Sequence, residues 1–242
     1  MDMVGTVCPY VILMTIKCHA VMSRKDEIEN LFREVVQGKP YTGKPIPVNR
    51  FSVSGLSFSA DQEVKRKLGL VEETFRDRLN MLRGTALHSY VQSMVKNQGY
   101  VAEYRMYFTI PYRWHYMGYE NINLVGVIDL LHNDRREILE LKSSTSSDRI
   151  EDYHRLQLAS YMKMMSERTG QDYSGYVVKF GGTDLVTEEI PKDEVQHYWE
   201  TLVSRAMECA RKIDQAMEEN DIKQMTNPDD NNGNGLYGFE SH

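Results

Sequence analysis

Hydrophobic and polar positions along this chain follow two periods, and the switches between them predict its elements. Ile28, Leu31, Phe32 and Val35 recur at helical spacing between Ser23, a candidate N-cap followed by Asp26 and Glu27, and a stop at Gly38. This predicts a helix over 23–37. Three prolines and a glycine make 39–47 a loop. Helical spacing returns over 59–68 and 71–82, and again over 85–97. There Leu87, Tyr90, Val91, Met94 and Val95 form a stripe expected to be buried, with His88 at its edge. A period of two then takes over, predicting strands over 100–111, 123–131 and 137–142. Between the last two lies His132-Asn133-Asp134-Arg135-Arg136, whose Asn-Asp centre favours a hairpin turn.

Further on, a Ser/Thr-rich loop over 143–147 leads to Asp148, a candidate N-cap for a helix reaching Arg168. Its expected buried stripe is Leu158, Met162 and Met165. The apolar run Tyr176-Val177-Val178 marks a strand within 171–180. Gly181-Gly182 turns it, and 183–190 returns. A long helix over 192–219 is expected to pack on the sheet, and the sequence after Asn227 has turn composition. At the other end, 1–22 is an apolar segment. Asp2 stands where a signal peptide would carry a positive charge. Pro9, Lys17 and His19 interrupt any membrane-spanning run. The segment reads as a packing strand, or as a leader ahead of a start at Met22. The chain thus divides into the apolar segment 1–22, a helical region 23–83, an α/β core 84–219 that includes the long helix, and a flexible acidic tail 220–242.

Three charged residues interrupt the apolar strands of the hairpin. Asp129 lies in one; Glu140 and Lys142 lie in the other. Side chains alternate along a strand, so Glu140 and Lys142 share a face and Leu141 takes the opposite one. Antiparallel pairing lets Asp129 reach the face of Glu140. Burying such groups is unfavourable unless they pair or bind a metal. Two close carboxylates suit a hard divalent cation, Mg²⁺ or Mn²⁺. Such an ion polarises a phosphate oxygen and lowers the pKa of a bound water. Lys142 beside it could orient that water or offset charge developing on phosphorus.

These residues resemble the D…ExK signature of the PD-(D/E)XK nuclease superfamily. Two further motifs resemble its RecB-like branch: Gly84-Thr85-Ala86-Leu87-His88 upstream, and Gln157-Leu158-Ala159-Ser160-Tyr161 downstream. The chain is similar there to CRISPR-associated RecB-like nucleases, to the RecB and AddB nuclease domains and to the mitochondrial genome maintenance exonuclease. The resemblance implies a restriction-endonuclease-like fold: an αβββαβ core with a mixed central sheet flanked by helices, here with an N-terminal helical extension. It also implies a metal held by His88, Asp129, Glu140 and the Leu141 carbonyl. Lys142 would act on the water, and Gln157 and Tyr161 would orient substrate. The implied activity is hydrolysis of DNA phosphodiester bonds, on single strands or ends, in replication, recombination or repair. Two alternatives stand beside it: an RNA endonuclease using the same His-Asp-Glu-Lys set, and a nucleic-acid-binding module without chemistry.

Composition adjusts this picture in two places. The 242 residues carry a net charge of −6, of which Met217–His242, with six acids against one base, holds −5. The body is therefore near neutral, and nucleic-acid binding would rest on local basic groups. Lys65, Arg66, Lys67, Arg76, Arg78 and Arg83 could supply them, or could belong to a solvated, ion-paired helix face. An aromatic stretch over 112–121, with Trp114, Tyr116 and Tyr119, could stack on unpaired bases or cap the sheet. The three cysteines, Cys8, Cys18 and Cys209, are too few for the four-cysteine iron–sulfur site of the CRISPR-associated relatives, so no cluster is expected. Odd in number and widely spaced, they suggest neither zinc site nor disulfide framework, and point to a reducing intracellular compartment such as the cytoplasm. No membrane association is expected.

Overall fold

A computed structural model describes residues 24–37, 47–71, 73–143, 149–181 and 184–226. The expectations for 1–22, for the Ser/Thr-rich loop with its Asp148 cap, for the Gly182 turn and for the tail beyond 226 lie outside the described residues. Two compact units divide at residues 40 and 41. Within the first, α1 spans Arg24–Gln37, the helix read from its amphipathic spacing.

The second unit is a mixed six-stranded sheet with helices packed against it. Its central strand is β3 (Asn121–His132), where buried and half-buried residues alternate from Asn121 to Leu130. One edge of β3 is paired antiparallel along its length by β2 (Val101–Pro111). The other edge is shared. β1 (Arg50–Ser52) runs parallel to residues 123–125, and β4 (Glu137–Ser143) runs antiparallel to 130–132. Between them, residues 126–129 have no strand partner on that edge. β5 (Ser174–Phe180) continues the sheet parallel to β4, and β6 (Leu185–Glu189) closes it antiparallel to β5. Helix α4 (Phe75–Val95) precedes β2, and α5 (Asp152–Thr169) separates β4 from β5, so the chain has the αβββαβ succession expected.

Helix α5 is buried on nearly every side from Leu156 to Met165, with Lys163 alone half-buried, as befits a helix enclosed between neighbours. It packs on α6 (Val195–Thr226) and on the sheet. The core joins β1 and α2 (Val53–Phe58) to these elements through Phe51, Val53, Leu56, Ile128, Leu158, Leu202 and Ala206. Helix α3 (Ala60–Lys67), capped by the Ser59 hydroxyl, contributes Val64.

Several expectations are corrected. The helices predicted over 71–82 and 85–97 are one helix, α4, opened by a capping box between Thr74 and Asp77. Gly84 does not break it. A Cβ at that position would sit 3.4 Å from the Ser143 hydroxyl, so the glycine lets the helix lie close to the end of β4. The stripe expected to be buried on this helix is so only in part: Leu87, Val91 and Val95 are half-buried, but Tyr90 and Met94 are 64% and 63% exposed. The inward face adds Gly84, His88 and Gln92 to those three, all half-buried. Helix α4 runs through the boundary drawn at residue 84, and Val48, Phe51, Val53, Leu56 and Val64 belong to the same core as the sheet. Likewise α6 continues through residues 220–226, the start of the segment expected to be a tail.

The aromatic stretch caps the sheet. Trp114 is buried, stacks on Phe51 and donates its indole N–H to the Asn121 carbonyl at 2.9 Å. The Asp214 carboxylate of α6 accepts the backbone N–H groups of His115, Tyr116 and Met117. Among the basic residues, Arg66 pairs with Glu63 and Arg78 with Glu73, while Lys67 donates to the Pro47 carbonyl at 3.1 Å above the Phe51 ring. These contacts favour the solvated, ion-paired reading for Arg66 and Arg78, while Lys67 is half-buried and desolvated. Glu103 is exposed, opposite Asp129 in the β2–β3 register, and has a positive φ of 51°. No described helix is long and apolar enough to cross a membrane.

Candidate active site

The unpaired stretch of β3 is where the candidate residues gather. A strand in that position would offer carbonyls to β4; here the Asp129 side chain takes a rung, its Oδ2 accepting the Leu141 N–H at 2.7 Å. Tyr161 of α5 lies against the gap, its hydroxyl near the Val127 backbone. Gly126 makes room for it. A Cβ there would stand 2.9 Å from the Tyr161 ring, too close for two unyielding groups.

Glu140 and Lys142 both face α5, as strand alternation requires, and Gln157 connects them. Its amide nitrogen donates to Glu140 Oε1 at 2.7 Å and to the Tyr161 hydroxyl at 3.0 Å. Its carbonyl accepts from Lys142 Nζ at 2.8 Å, and that amine also donates to Glu140 Oε1 at 2.8 Å. Gln157 and Tyr161 can act together because four residues is one helical turn. His88, on the inward face of α4, places Nδ1 3.3 Å from Asp129 Oδ1.

Burial grades from the bottom of this cluster to its mouth. Glu140 is 2% exposed, and Gln157 and Tyr161 are buried. Asp129, Lys142 and His88 are progressively more open. Burial drives the Glu140 carboxyl up from 4.5 to about 7, against the pull of Lys142. Asp129 raises His88, its hydrogen bond outweighing the opposing effect of burial. Burial and the Glu140 carboxylate push Tyr161 well above the ordinary phenol value.

Asp129 is engaged through both oxygens, Oδ2 with the Leu141 N–H and Oδ1 with His88, whereas Glu140 is half committed, its Oε1 held by two side chains. Glu140 Oε2 is buried with no hydrogen-bond partner. A buried acceptor left bare is unfavourable, and a hard cation would satisfy it. The donor set of two carboxylates, an imidazole and nearby backbone carbonyls fits Mg²⁺ or Mn²⁺. Among the described residues no three His, Cys, Asp or Glu side chains form a ready-made metal cage. His88, Asp129 and Glu140 meet, but as a chain of neighbours.

Three residues near the site were not singled out from sequence. Gln92, one turn beyond His88, reaches the Asp129 carbonyl at 3.4 Å; its i, i+4 spacing from His88 was the available signal. His154 is buried one turn before Gln157 and accepts the Glu151 N–H at 3.1 Å. Burial, with Lys142, Lys179 and Arg155 around it, lowers it to about 3. Lys179 pairs with Lys142 across β4 and β5, is buried, and donates to the Arg149 carbonyl.

The sequence profile of the PD-(D/E)XK nuclease superfamily matches residues 59–230. The chain belongs to that superfamily, whose nucleases generally use divalent metals. Similar solved structures include a protein assigned as an exonuclease from Eubacterium rectale, 12% identical over 73% of this chain and 88% of that one, with a TM-score of 0.49. An alkaline exonuclease from Laribacter hongkongensis is 12% identical over 73% of this chain and 95% of its own, with a TM-score of 0.44. No curated protein matches the chain.

Proposed function

We propose that this protein is a divalent-metal-dependent deoxyribonuclease of the RecB-like branch. It would cut single-stranded DNA or DNA ends in replication, recombination or repair, within a reducing intracellular compartment. The observation that carries the reading is the bare Oε2 of Glu140, buried in the cluster that also holds Asp129 and Lys142. Asp129, Glu140, His88 and the Leu141 carbonyl would hold Mg²⁺ or Mn²⁺. When bound, the ion supplies Lewis-acid polarisation of a phosphate oxygen and a more acidic water.

The protein's own groups define the rest. Lys142, held at 2.8 Å from both Glu140 and Gln157, presents its ammonium at the mouth, where it orients the attacking water and offsets charge on the phosphorane. Gln157 keeps the lysine and the glutamate in register. Tyr161 buttresses Gln157 and seals the floor against the β3 backbone. His88 and Asp129 set the wall formed by α4.

Digestion of end-labelled and of circular single-stranded DNA with Mn²⁺, wild type beside Lys142→Ala, tests the proposal. Loss of product in the variant supports it. A wild type that binds DNA but releases no product with either metal would overturn it. Faster cutting of matched RNA would move the substrate to RNA.

A further inference from the structure

Helix α5 presents Tyr153, Gln157 and Tyr161 at successive turns of one face. The latter two are buried in the catalytic cluster. Tyr153, one turn nearer the N-terminus, is half-buried, so the same stripe rises out of the cluster to the surface. Phe58, the last residue of α2, meets Tyr153 edge-on with ring centroids 5.2 Å apart. Phe58 is 56% exposed and lies outside the core, although the rest of α2 is anchored by Val53 and Leu56. A large aromatic ring held open on a fixed partner loses little conformational freedom when something stacks on it. Lys142 lies close enough to lower the Tyr153 phenol while burial raises it.

We infer that Phe58 and Tyr153 form a stacking platform for an unpaired nucleobase next to the scissile phosphate. The inference rests on the nuclease reading above and specifies its substrate. A base has an apolar face to stack, and its phosphate is an anion suited to Lys142. A duplex keeps its bases stacked on one another, so the platform favours a single strand, a frayed end or a loop. Stacking is tolerant of base identity, which suits a nuclease without sequence preference.

The test uses the full chain and a short oligothymidylate carrying one 2-aminopurine, placed at successive positions, in DNA and RNA forms and as a duplex. Calcium replaces the catalytic metal to prevent cutting. For the wild type, fluorescence is expected to be quenched at one position of the single strand. Phe58→Ala should restore that fluorescence and weaken single-strand binding about tenfold, with a much smaller effect on the duplex. Phe58→Trp should recover both quenching and affinity, and thermal melting verifies that each variant is folded. Equal affinities for wild type and Phe58→Ala, or equal losses on single strand and duplex, would overturn the platform. Which of the DNA and RNA arms shows the quench identifies the sugar. Failure of the nuclease reading shows separately, as absence of cutting by the wild type with Mn²⁺.

Discussion

Glu140→Gln is expected to destroy activity and, without divalent metal, to stabilise the protein. The wild-type carboxyl titrates at about 7 instead of 4.5 because it is buried. At ~1.4 kcal/mol per pH unit, holding it ionised in the folded state above pH 7 costs about 3 kcal/mol. The sign follows from the protons. Between 4.5 and 7 the folded state keeps a proton that the unfolded chain has released, so stability falls as pH rises through that window and is lowest above it. Glutamine keeps the oxygen that accepts from Lys142 and Gln157 and removes the charge. The variant should therefore melt roughly 6–12 °C above wild type at pH 8, taking ~2–4 °C per kcal/mol for a chain of this size. The difference should shrink toward zero near pH 5. Metal reverses the order. An ion at 1,000 times its Kd stabilises wild type by ~4.1 kcal/mol, more than that cost, and leaves the variant unmoved. Melting curves at pH 5 and 8, with and without Mn²⁺, read all four states. A metal-free variant that melts below wild type at pH 8, or a gap independent of pH, would refute the account of Glu140 as a strained, cation-awaiting carboxylate.

Other substitutions test the same geometry. Lys142→Ala should lower cleavage by orders of magnitude in steady-state assays; it should also destabilise, more at pH 8 than at pH 6, because the lysine offsets the Glu140 charge. Asp129→Ala leaves the Leu141 N–H without its acceptor and should lower stability by about 1–3 kcal/mol in urea unfolding. Gly126→Ala pushes a methyl group into the Tyr161 ring and should cost about 1–3 kcal/mol, with reduced turnover because Gln157 moves with the tyrosine. His154 is held neutral, titrating at about 3 instead of 6.5, so its contribution is lost as pH falls below 6.5. His154→Gln should flatten acid destabilisation by up to about 2 kcal/mol at pH 5, measured by unfolding across pH.

The central hairpin and the order of the core elements were legible because charge inside an apolar strand is expensive enough to announce itself. Asp129, Glu140 and Lys142 stand out on that ground alone. The motifs on α4 and α5 then give His88, Gln157 and Tyr161 positions that the structure brings to the same cluster. Other features had no local signal. The break drawn between 82 and 85 had no local cause, and α4 runs straight through Gly84. Tyr90 and Met94 share the apolar character of core residues, yet they lie on the exposed face of α4. β1 is three residues long and shows no period. His154 and Tyr153 were hidden because α5 is enclosed on all sides, so its apolar pattern cannot tell the site-facing stripe from the core-facing ones.

The gap in β3 makes fold and site inseparable, but unequally for the two carboxylates. Asp129 replaces a backbone acceptor in the β3–β4 junction, so its charge is neutralised in part by a peptide N–H that needs it. Removing it harms the fold as well as the chemistry, and a dead Asp129 variant alone proves little about mechanism. Glu140 has the opposite position. Its second oxygen serves no partner, and burial opposes its charge by more than the Lys142 ion pair favours it. Selection for stability alone would not keep a carboxylate there. On the proposed function, the interaction that justifies it is absent from the metal-free chain and must outweigh about 3 kcal/mol of desolvation, as a divalent cation would and a hydrogen bond alone would not.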